Sequence, residues 1–205
     1  PLFHIGDKAE LVRGTVSCKA DNYGIISGGT FQGDVYNAGT ISDGTFQGSV
    51  NNYQTISDGT FQGKVNNDGV ISGGIFLGDM NNWGTISSGT FQGEVDNHGT
   101  ISNGTFQQPV TNAKTISDGI FQGKVANFRT ISGGTFEEVV EMNESPDGAK
   151  IEGGTFKKDI ELNAYDPTIT DGLFDGKVSA AEDYSGMLML SISGGLFTNA
   201  AAVST

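Results

Sequence analysis

The chain has 205 residues, enough for one sizeable domain, and its 32 glycines and its large apolar residues recur at fixed offsets, which excludes a flexible low-complexity chain. A formal net charge of −13, with only 11 Lys and Arg, excludes the cationic stripe that a phosphate backbone requires, so nucleic acid is not an expected partner. The single cysteine, Cys18, excludes an internal disulfide framework, the two histidines give no basis for a zinc site, and no apolar run reaches the roughly 18 residues that membrane insertion needs.

The start, Pro1-Leu2-Phe3-His4, shows neither the basic region nor the apolar core of a signal peptide and carries no initiator Met. The chain reads as a processed piece of a longer protein, whose flanking domains are then expected partners. Residues 1–24 read as degenerate N-terminal coils. Leu11, Val16 and Ala20 stand five and four residues apart, with Asn22 following, and Ile5 suits the third of these positions in a partial coil before them.

Residues 25–136 repeat that spacing without an insertion. Phe recurs every 15 residues from Phe31 to Phe136; five residues before each stands an Ile (Ile26 to Ile131) and four after it a Val or Met (Val35 to Val140, with Met80). A period held this strictly is a structural unit. The neighbours of each anchor are polar or small, as in Thr40-Ile41-Ser42, Thr45-Phe46-Gln47 and Ser49-Val50-Asn51, which is the out-in-out alternation of a very short strand. Between the strands lie Asp43-Gly44, Gly48 and Asn52-Tyr53-Gln54, residue types that permit the positive φ of a sharp corner. The Gly load and the β-branched composition exclude a helix.

Stacking coil on coil lets every strand bond to its equivalent one copy up and down, about 4.8 Å away, so that identical side chains form ladders. Columns of Ile, Phe and Val are expected inside. An inward ladder of Asn22, Asn37, Asn52, Asn67, Asn82, Asn97, Asn112 and Asn127 is expected at one corner, where the amides satisfy one another and the corner carbonyls.

Residues 137–205 keep the frame less regularly. Ile151, Phe156 and Ile160, then Ile169, Phe174 and Val178, then Ile192 and Phe197 preserve the five-residue step, and the extra length falls at the third corner, in Met142 to Lys150, Leu162 to Thr168 and Ser179 to Ser191. The predicted fold is all-β: a single-stranded parallel β-helix, or triangular β-solenoid, with 15 residues per coil and about twelve coils, forming one domain over residues 1–205.

The motif Ile-Ser-x-Gly-Thr-Phe-x-Gly-x-Val-x-Asn-x-Gly resembles the Gly/Thr/Asn-rich repeats of large cell-surface proteins of gut bacteria, closely over residues 10–136 and loosely beyond. The resemblance implies a secreted, often wall-anchored stalk or adhesin, and hence an extracellular or cell-surface location.

Unbroken repeats offer no natural cleft, so function is sought on the surfaces of the coils. In the corner column after the Asn ladder, Tyr23, Tyr53 and Trp83 recur every second coil, about 10 Å apart. Such rings either stack on alternate sugars of an extended host or bacterial glycan, or alternate with small residues merely because neighbouring rings would crowd. Asp43 and Asp58 share a corner of adjacent coils and form a candidate calcium pair, although Gly28, Gly73, Ser88 and Asn103 occupy the same column as a turn preference would have it. Thr40, Thr55, Thr85, Thr100, Thr115 and Thr130 line up beside a Ser column as the Thr arrays of some ice-binding solenoids do, with Val70 interrupting. Of the 24 Asp and Glu, 13 lie after residue 136, where paired carboxylates are the feature that a polysaccharide-active β-helix enzyme would use. No residue stands out as catalytic and no cofactor is called for. The expectation is a non-enzymatic extracellular structural or adhesion segment, a rigid spacer contacting glycans, with ice binding and polysaccharide chemistry as the alternatives.

Overall fold

The computed structural model describes residues 1–181, 189–199 and 203–204. These form a parallel β-solenoid of about twelve turns, stepping about 15 residues at a time, with no helix among the described residues. Two compact units divide the chain, Pro1–Val95 and Asp96–Thr205.

In the first unit, with Val70, Ile75 and Met80 substituting in one coil, the regular coils contribute a Thr-Ile strand, a Thr-Phe strand and a Val-x-Asn strand. The third of these builds a parallel ladder from Leu2–Ile5 through Lys19–Asn22, Val35–Asn37, Val50–Asn52 and Val65–Asn67 to Met80–Asn82. Register is like on like, for example Val50 beside Val65 and Asn52 beside Asn67. The first and second ladders are less separate than the sequence suggests. In two coils they run through their shared corner as single strands, Ile25–Phe31 and Thr40–Phe46, with a register shift at Ser27.

The anchors are inside. Ile26, Ile41, Ile56, Ile71 and Ile86 are fully buried, as are Phe31, Phe46, Phe61, Phe76 and Phe91 and Val35, Val50, Val65 and Met80. Successive Phe rings stack with centroids 4.7–5.0 Å apart and planes within 10° in the first unit, from Phe31–Phe46 to Phe76–Phe91. That separation is the strand spacing of a sheet, so the backbone sets it and ring stacking exploits it. In the second unit Phe106, Phe121, Phe136, Phe156, Phe174 and the half-buried Phe197 stack in turn.

The three corners use glycine for different reasons. Gly44 and Gly59, at the first corner, have φ of +134° and +126°, which L side chains rarely adopt. At the second corner Gly48 has no positive φ; there a Cβ would lie 2.6 Å from the carbonyl oxygen of Gly33 one coil below. Close approach of coils, not backbone conformation, selects that glycine. The same holds at the third corner, where a Cβ on Gly39 would lie 2.2 Å from the Gly24 oxygen. The expectation of a positive φ at every corner is thus corrected: in the first unit it holds at the first corner, and Gly148, with φ of +70°, adds one in a longer third-corner connection of the second unit. Gly59→Ala is expected to destabilise by about 1–3 kcal/mol through backbone strain, read from the shift in a denaturant-unfolding midpoint.

One register assignment also changes. Ile5 pairs with Asn22, and Phe3 with Ala20, so Ile5 lies at the foot of the Asn column and the third-anchor position belongs to Phe3. In the second unit, Asn127 is followed in its column by Met142 and then Leu162, both fully buried. The longer connections there lie between third and first strands, since Lys150 pairs with Thr130 and Thr168 with Lys150. The excursion expected at Ser179 to Ser191 falls mostly outside the described residues.

Candidate functional site

The Asn column is a buried polar structure. All eight amides are fully buried. In the first unit Asn22 Nδ2 donates to Asn37 Oδ1 at 2.7 Å, Asn37 to Asn52 at 2.6 Å, Asn52 to Asn67 at 2.7 Å and Asn67 to Asn82 at 2.7 Å. In the second, Asn97 donates to Asn112 and Asn112 to Asn127, both at 2.8 Å. Each amide also bonds to the corner that follows it, and Asn37 reaches the next coil as well: its Nδ2 donates to the carbonyls of Gly39 and of Thr55 one coil on, both at 3.1 Å. The ends are satisfied by backbone, with Asn22 Oδ1 accepting from Gly24 N–H at 3.2 Å and Asn127 Nδ2 donating to the Arg129 carbonyl at 3.1 Å.

Outside this corner the first unit carries an aromatic strip. Tyr23, Tyr53 and Trp83 are 45%, 47% and 48% exposed at the positions the sequence indicates. Tyr23 and Tyr53 do not stand as isolated platforms, because Tyr36, 38% exposed, lies between them with ring centroids 6.1 Å from Tyr23 and 4.9 Å from Tyr53. His4 extends the strip below, 5.3 Å from Tyr23. Adjacent rings are tilted by 35–43°.

The rings alternate between two columns. His4 and Tyr36 project from the outward position of the third strand; Tyr23 and Tyr53 project from the corner two residues on. Where the strand position holds a ring, the corner holds Gly6 or Ala38, and the small residue leaves the space that the ring fills. Column-by-column reading missed Tyr36 and His4. The available signal was reciprocal: a small corner residue in the coils that have an aromatic residue two positions earlier.

Beyond Tyr36 the outward strand column becomes Asn51, Asn66 and Asn81, a second amide ladder on the surface. Asn66 Nδ2 donates to Asn51 Oδ1 at 2.8 Å and Asn81 Nδ2 to Asn66 Oδ1 at 3.1 Å, opposite in direction to the buried ladder. A shallow groove runs beside it, with Asp34 and Ser49 on one side and Tyr36, Asn51 and Asn66 on the other. Lys19, also at this groove, pairs with Asp34 at 3.3 Å.

The other candidate positions have local partners. Asp43 Oδ1 accepts from Gly44 N–H at 2.7 Å and Asp58 Oδ1 from Gly59 N–H at 2.8 Å, and Asn103 makes the same bond to Gly104 at 2.7 Å. One oxygen of each carboxylate therefore belongs to its own turn. Among the described residues no group of three or more His, Cys, Asp or Glu is placed to hold a metal ion. The Thr column Thr40, Thr55, Thr85, Thr100, Thr115 and Thr130 is half-buried, and the serine hydroxyls beside it bond to backbone carbonyls of the coil below. Ser42 donates to the Ile26 carbonyl at 3.2 Å, Ser57 to Ile41 at 3.3 Å and Ser87 to Ile71 at 3.1 Å. The acids of the second unit pair with cations of neighbouring coils, Glu137 with Lys157 at 2.9 Å, Glu141 with Lys124 and Asp147 with Arg129. Cys18 is a free, half-buried thiol.

Compared with family models, curated proteins and solved structures, the chain matches none. What stands is a parallel β-solenoid repeat with Thr- and Asn-rich strands.

Proposed function

We propose that this chain is a non-enzymatic extracellular segment of a bacterial surface protein, a repeat scaffold that serves adhesion by presenting a glycan-contacting strip. The observation that carries the reading is the run His4–Tyr23–Tyr36–Tyr53, four rings from four successive coils, held side by side and left open to solvent. A contiguous exposed aromatic surface is the kind of feature that marks an interaction site, whereas single exposed apolar residues need no explanation. Tyr suits sugars because its ring face packs on the C–H face of a pyranose while its hydroxyl keeps a polar handle. The extracellular setting draws support from the resemblance of the Ile-Ser-x-Gly-Thr-Phe-x-Gly-x-Val-x-Asn-x-Gly repeat to gut bacterial surface repeats.

A glycan array probed with the chain and with a Tyr23→Ala/Tyr36→Ala/Tyr53→Ala variant, with and without calcium, tests this. Binding by the parent that falls by roughly tenfold or more in the variant is expected. Equal signals from both, or no signal from either, would remove the strip as an adhesion site and leave a spacer. A separate Trp83→Ala variant reads whether the strip extends to that coil.

A further inference from the structure

We infer that the ligand of this face is a neutral, extended polysaccharide, lying along the coil-stacking direction over the Tyr strip and hydrogen-bonded by the outer amide ladder Asn51–Asn66–Asn81; this rests on the glycan reading above. The direction follows from the repeat. The rings follow one per coil from His4 to Tyr53 and the amides one per coil from Asn51 to Asn81, so a ligand that meets successive rings and then amides runs from coil to coil and not around one. A chain of like sugar units meets such a surface with the same groups at every step.

The amides supply the polar half of recognition. A primary amide has two N–H donors and an oxygen with two lone pairs. Within the ladder Asn66 uses one N–H toward Asn51 and one lone pair toward Asn81. The remaining donor and acceptor match a sugar hydroxyl, which both gives and takes a hydrogen bond. The shallow groove beside the ladder, between Ser49 and Asn51, offers the concavity in which the ligand's edge sits.

Charge decides the class of sugar. The cation at the groove, Lys19, is neutralised by Asp34, while Asp21 and Asp68 stand in the two columns that carry the rings. The chain as a whole carries −13. Lys64 also stands on this face, beside Ser49 and two residues before Asn66, but Asp21, Asp34, Asp68 and Asp79 outnumber Lys19 and Lys64, so an acidic glycan meets net repulsion here that a neutral one does not.

The test is titration calorimetry of the full chain with β-1,4-linked gluco-oligosaccharides of increasing length and, in parallel, with polygalacturonate. The neutral series is expected to bind, with affinity rising as the oligosaccharide lengthens to span several coils, and the acidic polymer to bind at least about tenfold more weakly. Asn51→Ala and Asn66→Ala are expected to weaken neutral binding by about 3- to 10-fold each, the scale of one hydrogen bond. Unfolding midpoints of the variants separate lost contacts from lost structure, and the neutral-versus-acidic comparison needs no variant. Equal or tighter binding of the acidic polymer, or unchanged binding by both folded Asn variants, overturns this inference and leaves the glycan reading standing. Absence of binding to every glycan on the array overturns both.

Discussion

Phe76→Ala is expected to destabilise the first unit by about 3–5 kcal/mol, read as a lowered midpoint in denaturant unfolding with circular dichroism. Phe76 is fully buried and stacks on Phe61 at 4.7 Å and on Phe91 at 4.8 Å. Truncation removes a ring and its transfer energy. It also opens a cavity that the neighbours are poorly placed to close, because the sheet spacing holds Phe61 and Phe91 in their own coils. A midpoint equal to that of the parent chain would contradict a close-packed Phe column. Phe76→Leu keeps most of the volume and is expected to cost clearly less.

The second large effect comes from the buried amides. Asn67→Ala removes the acceptor of Asn52 Nδ2 at 2.7 Å and the donor to Asn82 Oδ1 at 2.7 Å, together with the bond to the Gly69 carbonyl at 3.2 Å. Each buried polar group deprived of a partner costs about 1–3 kcal/mol, so a loss of about 2–5 kcal/mol is expected. Asn67→Leu is expected to be similarly costly although its volume is closer, since the deprived neighbours are the same. By contrast Met142→Leu, in the same column of the second unit, is expected to cost less than about 1.5 kcal/mol, because Leu162 beyond it is already apolar. Near-neutral behaviour of Asn67→Leu in the same unfolding assay would mean that the ladder is dispensable.

The sequence makes the interior legible because eight regular coils show each column eight times. Ile41, Phe46 and Val50 are understood once their equivalents fall 15 residues away, and an invariant Asn beside them has few roles other than an inward ladder. Less legible is whatever depends on two columns at once. Tyr36 belongs to a column that from Asp21 to Asp96 otherwise holds Asp or Asn, and the neighbouring Ala38 shows where its ring has room. The reason for Gly48 was also hidden, since a residue letter does not distinguish φ from proximity. Ile5 lies two strand positions from the third-anchor place that the spacing suggests, because a partial coil has too few anchors to fix its register and positions two apart in a strand share one face.

The bonds from each buried amide to its following corner have a consequence for how such a chain lengthens. In the first unit Asn37 holds the Gly39 carbonyl in its own turn and the Thr55 carbonyl where the next coil's turn ends, and every such turn from Asn22 to Asn82 has the same length. Where Met142 and Leu162 replace Asn, the grip is gone and the connections to Lys150 and Thr168 grow. The amide therefore acts as a gauge of loop length. A gene encoding such coils tolerates gain or loss of whole repeats but not of single codons, while the ungripped coils are where new surface loops can be tried without disturbing the stack.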